Sequence, residues 1–137
     1  SLYTSVLPNL LVGGISAAIR ESDATKMYIA NVVTQKGETE GYTLADHVAV
    51  LQTHTFGTIV DYVIANDRPR ELGSQFLGQP VFHDYQDIKF ARLATDDLMD
   101  TNHPAQHDAT KLAGFVMDVY HGRRGASEPA QQVETGV

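Results

Sequence analysis

The sequence predicts an α/β fold built on a mostly parallel sheet, and three observations lead there. Residues 26–33 (Lys-Met-Tyr-Ile-Ala-Asn-Val-Val) form a nearly continuous apolar run between polar loops, the pattern of a strand covered on both faces. A second β-type run spans 58–65. Between the two lie a polar loop with two glycines and an amphipathic helix, which makes a βαβ unit whose crossover should be right-handed.

The elements follow in order. Leu11, Ile15, Ala18 and Ile19 recur at helical spacing within 5–21, and Pro8 suits a first turn, where its missing N–H costs nothing. Gly13 and Gly14 interrupt that run; at about 1 kcal/mol each against Ala, they predict a break into two short helices. Ser22 and Asp23 turn the chain into the first strand. Thr43 or its neighbour should cap the next helix, whose Leu44, Val48 and Leu51 share one face. The second strand ends at residues 66–69 (Asn-Asp-Arg-Pro). A short helix is expected over 71–77 and strands over 80–83 and 88–94, with a turn at 84–87 between them. A polar loop covers 95–106. Asp108 then caps a helix that turns Leu112, Phe115, Val116 and Val119 inward. Beyond Tyr120 almost nothing can be buried, so 1–120 is expected to be the domain and 121–137 a disordered tail. The start on Ser1, without Met and on a helix entrance that no strand precedes, is what a truncated chain would show.

Composition bounds the function. The 137 residues fit one domain with a real core. Seventeen acidic against ten basic side chains leave a net charge of −7, and no basic stripe exists for a nucleic-acid backbone. With no cysteine there is neither a disulfide framework nor a thiolate metal site. No apolar run approaches the roughly 20 residues of a membrane helix, and the first residues carry no signal-peptide charge, so cytoplasm is the expected compartment.

In open parallel sheets, ligands bind beyond the carboxyl ends of the strands. Two segments fall there. Asn31 and the loop Thr34, Gln35, Lys36, Gly37, Glu38, Thr39 supply hydroxyls, amides and a carboxylate just before a helix start, where free N–H groups suit an anion. Ser1, Thr4 and Ser5 place three hydroxyls at another helix start, more than N-capping requires. His47 and His54, seven apart, are too widely spaced for one metal, and His83, His103, His107 and His121 are scattered, so no metal site is expected. Asp46 with His47 can be read as an acid/base pair or as a polar pair near a helix cap. No serine elbow, phosphate-binding loop or paired-carboxylate arrangement is present in the sequence.

The stretch Ser1-Leu2-Tyr3-Thr4-Ser5-Val6-Leu7-Pro8-Asn9-Leu10-Leu11-Val12 resembles the bacterial gluconeogenesis factor family, the YvcK-type branch of the CofD-like, 2-phospho-L-lactate transferase superfamily. So do Asn31-Val32-Val33-Thr34-Gln35-Lys36-Gly37-Glu38-Thr39-Glu40-Gly41-Tyr42-Thr43 with Asp46-His47, and His107-Asp108 with Lys111-Leu112-Ala113 resembles the family's closing helix. The likeness covers residues 1 to about 120 and implies a three-layer, Rossmann-like CofD-type fold of which only the C-terminal half is here. The Gly-Pro-Gly that precedes the first stretch in the family is absent, as is its glycine-rich nucleotide loop. The resemblance implies a cytoplasmic regulatory protein that binds a nucleotide sugar, such as UDP-N-acetylglucosamine or UDP-glucose, and supports cell shape and wall synthesis on gluconeogenic carbon. It implies no cofactor, the absent N-terminal half as a partner, and is compatible with a homo-oligomer. It places Ser1, Thr4, Ser5 and Asn9 toward phosphate and Asn31, Thr34, Gln35, Gly37, Glu38 and Thr39 along the crevice. Tyr42 would stack on a base or sugar, and Asp46, His47 and Asn66 would lie near. The superfamily's enzymatic branch implies the alternative, a phospholactate-type transferase using a guanylylated donor, with Asp46 or His47 as general base.

Overall fold

The computed structural model describes residues 1–81 and 88–129. Ser1 caps a π-helical turn, Leu2–Val6, its carbonyl accepting from the N–H groups of Ser5 (3.2 Å) and Val6 (3.1 Å). The turn runs directly into α1 (Leu7–Leu10), with Pro8 in its first turn as expected. The break before α2 (Gly13–Glu21) falls at residues 11–12, one step ahead of the predicted position. Val12 is extended there, and its carbonyl accepts from Ile15 (2.9 Å) and Ser16 (3.1 Å), so the two glycines open α2 instead of interrupting a helix.

Three strands form one parallel sheet in the order β1 (Met27–Ile29), β2 (Tyr62–Asn66), β3 (Arg92–Asp96). Met27 lies opposite Tyr62, and Tyr62 opposite Arg92. Helix α3 (Leu44–His54) connects β1 to β2, and α4 (Ala109–Tyr120) follows β3. The alternation along β2 decides the layering. Val63 and Ala65 pack with Leu44, Val48 and Leu51 of α3, whereas Ile64 packs with Phe115 and Val119 of α4. Helices therefore cover both sheet faces, in the three-layer, Rossmann-like arrangement. Each of these buried Leu, Ile, Val and Phe side chains contributes about 1.5–3 kcal/mol. The caps are as expected: Thr43 on α3, and Asp108 on α4, where its carboxylate accepts from Thr110 (2.9 Å) and Lys111 (3.0 Å).

Several elements differ from expectation because apolar runs record burial while strands require pairing. Ala30 and Val32 are buried, as the run 26–33 suggests, yet the parallel ladder stops after Ala30. Residues 32–34 turn to pair with 79–81: Val81 N–H reaches the Val32 carbonyl (3.1 Å), and Thr34 N–H the Gln79 carbonyl (2.7 Å). Ile59 is buried in a turn ahead of β2, and Ile88 and Ala91 are buried ahead of β3, so both strands begin later than their apolar runs. No helix forms over 71–77. Gly73 and Gly78 leave too few residues to nucleate one, and only a turn from Gly73 to Phe76 appears. The 80–83 strand is represented by a bridge between Val33 and Pro80; residues 82–87, with the expected turn, lie outside the described residues.

The sequence leaves the chain after α4 almost nothing to bury and predicts disorder, but residues 126–127 return to the sheet. Ser127 and Leu93 exchange two backbone hydrogen bonds (2.8 and 3.2 Å), and Ala126 packs beside the α4 cluster. Residues 130–137 lie outside the described residues. Among the described residues, no strand pairs with the outer edge of β1, and Leu11, Val12 and Ile15 are exposed. Among them, too, no single helix is long and apolar enough to cross a membrane.

A Cβ on Gly78 would lie 2.2 Å from the Thr34 carbonyl oxygen, backbone that cannot swing aside, whereas one on Gly57 would meet nothing within 4 Å. Gly78→Ala should therefore lower unfolding free energy by about 1–3 kcal/mol. Gly57→Ala should change it by less than about 1 kcal/mol. Urea denaturation of the two variants checks this, and equal effects would mean that the 34/78 approach is not the cause.

Candidate ligand-binding site

The site begins where β1 ends. Asn31 leaves the parallel ladder, and pairing of 32–34 with 79–81 holds the next residues in place. Thr34 is buried, and its hydroxyl accepts from Gln79 N–H (2.9 Å), so this expected crevice residue secures the ribbon. Thr39, also buried, accepts from Gln35 N–H through its hydroxyl (2.9 Å) and donates its own N–H to the Gln35 carbonyl (2.9 Å). That closed ring of bonds fixes Gln35 at the mouth of the loop. Gly37 lies at φ +79°, a conformation that favours glycine, and its N–H donates to the Glu40 carboxylate (3.2 Å).

Both helix starts carry the chain's own carboxylates. The Ser1 hydroxyl accepts from Thr4 N–H (3.2 Å) and donates to Glu38, which binds the first helical turn to the loop across 37 positions of sequence. At α3, Thr43 and Asp46 form a reciprocal capping box: Asp46 N–H to the Thr43 hydroxyl (3.2 Å), Thr43 N–H to the Asp46 carboxylate (2.9 Å). A carboxylate at a helix N-terminus satisfies the dipole that would otherwise attract an anion.

Next to these groups lies a cavity of about 240 Å³ at the exit of β1, lined by Ser1, Asn31, Gln35 and His107 with the apolar Val33 and Ala105. Three predicted residues, Ser1, Asn31 and Gln35, thus share one hollow, with Glu38 attached through Ser1. The others stand apart. Thr4, Ser5 and Asn9 are exposed, the Asn9 amide donating to the Ser5 carbonyl (2.7 Å). Tyr42 joins its hydroxyl to that of Tyr3 (2.8 Å) and sets its ring edge-on to His47 with centroids 5.5 Å apart. His47 is fully buried, its Nδ1–H donating to the Thr43 carbonyl (2.7 Å). Asn66 is buried at the end of β2, its carbonyl oxygen accepting from Leu98 N–H (2.9 Å).

His107 was not among the predicted site residues. Its Nε2 is buried and has no protein hydrogen-bond partner. The available signal was its position immediately ahead of the Asp108 cap, since helix starts that follow strands face the carboxyl edge of the sheet. Two larger hollows, of about 420 and 450 Å³, lie elsewhere. The first, between Thr25, Asp61, Arg92 and Glu128, sits at the amino ends of the strands, the wrong edge for a ligand in this architecture. The second lies within the 69–80 segment. Among the described residues no group of three or more His, Asp or Glu side chains could hold a metal ion.

Comparison with known proteins shows the family of the chain. Residues 1–111 match the family model described as 2-phospho-L-lactate transferase CofD. The gluconeogenesis factor of Halalkalibacterium halodurans is 36% identical over 126 residues, 86% of this chain and 39% of its own length. That of Bacillus subtilis is 38% identical over 127 residues, 87% of this chain and 40% of its own. A crystal structure of a UPF0052 family member from Bacillus halodurans matches with a TM-score of 0.74 at 36% identity, over 85% of this chain and 40% of that one. The chain thus spans about two fifths of the length of the curated relatives it matches.

Two histidines, His47 buried and His107 half-buried, make stability depend on pH. Burial lowers the pKa of His47 against the opposing pull of the Thr43 carbonyl and Asp46, and lowers that of His107 against the Ala30 carbonyl. An unfolded imidazole titrates near 6.5. Below that pH the unfolded chain binds protons that the folded chain refuses, so the stability contribution is complete above about 6.5 and is lost as pH falls toward the lowered folded values. Denaturation between pH 7.5 and 5 should show a decline of up to about 1.4 kcal/mol per pH unit for each histidine. His47→Asn, which keeps a donor for Thr43 without a titrating ring, should make that slope shallower.

Proposed function

The chain belongs to the CofD family and is similar to gluconeogenesis factors, and from that premise we propose that it is the C-terminal part of a nucleotide-sugar-binding regulatory protein that holds its ligand without turning it over. The observation that carries the proposal is the convergence of Ser1, Asn31 and Gln35, drawn from two separate motifs, on one cavity at the carboxyl end of β1. The ligand is a UDP-sugar such as UDP-N-acetylglucosamine or UDP-glucose, and the protein works in the cytoplasm to support cell shape and wall synthesis on gluconeogenic carbon. Ser1, Asn31 and Gln35 touch it, while Thr34, Gly37, Glu38, Thr39 and Tyr42 shape the loop around it. At about 240 Å³ the cavity is smaller than the roughly 300–1,000 Å³ of whole ligand sites. The remaining length of the relatives therefore supplies the other wall, as the N-terminal half of the same protein; it also covers the open edge of β1.

The name of the matching family model favours a second reading, a phospholactate-type transferase. That reading gives the base to Asp46 or His47. Asp46 is held in the α3 capping box and His47 is buried against Thr43 and Tyr42, so both already have local structural roles. This supports the regulatory reading over the transferase.

The test is calorimetric titration of UDP-N-acetylglucosamine into a protein carrying this sequence together with the upstream half of its relatives. We expect saturable heat with the sugar recovered unchanged, and a stabilisation of about 2.7 kcal/mol at a hundred times Kd. No heat with any UDP-sugar would sink the proposal. Product formed from a guanylylated donor, lost in His47→Ala, would establish the transferase.

A further inference from the structure

We propose that Arg70 and Lys111, drawn together on the Asp97 carboxylate, form the subsite that holds the diphosphate of the ligand beside the hollow of the 69–80 segment. This deepens the nucleotide-sugar reading and rests on it.

Arg70 follows β2, and Lys111 lies in the first turn of α4, the helix that follows β3. Both therefore sit beyond the carboxyl ends of the strands, where open parallel sheets bind their ligands. Arg70 Nη2 and Lys111 Nζ each lie 3.2 Å from the same oxygen, Asp97 Oδ2, so the two nitrogens stand no more than twice that distance apart. The Met99 carbonyl steadies the ammonium further (3.1 Å). Asp97 is thus the positioning residue. The Arg70 and Lys111 side chains keep 37% and 36% of their surface exposed, which leaves them open to a ligand. Arg70 also lines the 69–80 hollow, together with Ser74, Phe76 and Gln79. At about 450 Å³ that hollow falls within the range of small-molecule sites, roughly 300–1,000 Å³.

Donor capacity and charge both favour an anion here. A guanidinium carries five N–H donors and an ammonium three, and neither can accept. Arg70 spends one on Asp97, and Lys111 spends two, on Asp97 and Met99, so the pair keeps donors that only an electron-rich oxygen can match. One carboxylate between two cations also leaves a positive charge uncompensated, in a chain whose net charge is −7. Glu71 lines the same hollow, but it is exposed and, among the described residues, forms no ion pair with Arg70. The alternatives suit a phosphate less. The first helical turn and α3 already hold Glu38 and Asp46 at their starts, and the β1-exit cavity has no Lys or Arg on its lining. Arg92 lines the third large hollow, but at the amino ends of the strands and paired with Glu128.

The experiment compares UDP with uridine in the protein used for calorimetry, UDP by direct titration and uridine by its competition with UDP-N-acetylglucosamine. Arg70→Gln and Lys111→Gln should each weaken UDP binding by roughly tenfold while changing uridine affinity by less than about twofold. Arg70→Lys, which keeps a cation on Asp97, should bind UDP within about threefold of the unaltered protein. Equal losses for UDP and uridine would mean that the pair only supports the fold, and that result overturns the proposal. If UDP-N-acetylglucosamine binds both glutamine variants at unaltered affinity, the subsite is wrong and the nucleotide-sugar reading stands. If neither UDP nor any nucleotide sugar binds, that reading falls. In that event, a rise in melting temperature with millimolar inorganic pyrophosphate, absent in Arg70→Gln, still supports the subsite. No rise, or one that survives Arg70→Gln, overturns it as well. Lys111→Gln can loosen the start of α4, but Arg70→Gln, outside every helix and strand, tests the same subsite independently.

Discussion

The change of pairing partner at the end of β1 positions nearly everything of functional interest. Up to Ala30 the chain runs parallel to β2, and within two residues it pairs antiparallel with 79–81. Two contacts hold the switch: the Thr34 hydroxyl accepting from Gln79, and the close approach of Gly78 to the Thr34 carbonyl. A side chain at 78 would push the ribbon apart and move Gln35 with it. The loop beyond is then closed by Thr39, which returns the chain to the start of α3 and frees the Gln35 side chain to face the cavity.

Electrostatics at the helix starts shapes what this end of the sheet can bind. A helix N-terminus attracts anions through its free N–H groups and dipole. Here Glu38 meets the first turn through Ser1, and Asp46 closes the capping box of α3. A phosphate placed at either start would compete with a carboxylate already there, in a chain whose net charge is −7. The cavity at the exit of β1 is lined by Ser1, Asn31, Gln35 and His107, with no Lys or Arg side chain among its lining residues.

The sheet has the asymmetry of a partial domain. Its β3 side is partly closed by Ser127, while among the described residues no strand pairs with the outer edge of β1, and Leu11, Val12 and Ile15 are exposed. Parallel sheets are normally covered on both faces. The chain spans about two fifths of the length of the curated relatives it matches.

Local features were legible in the sequence: the Thr43 and Asp108 caps, Pro8 in its turn, the inward faces of α3 and α4, the βαβ order and the location of the loop after β1. These depend on residues within a few positions of one another, where propensity and periodicity act. The motifs also named Ser1, Asn31 and Gln35, which line one cavity. Strand limits were less legible, because Ala30, Val32, Ile59, Ile88 and Ala91 are as buried as strand residues while lying outside the ladders. By itself, then, the sequence determined the three-layer architecture and which loop lies at the carboxyl end of β1. Only the tertiary structure decided that Val33 pairs with Pro80, that Ser1 holds Glu38, and that His107 lines the same hollow as Gln35. Most of these contacts join residues tens of positions apart that each look like ordinary loop, and no local pattern encodes which distant donor a given acceptor will meet.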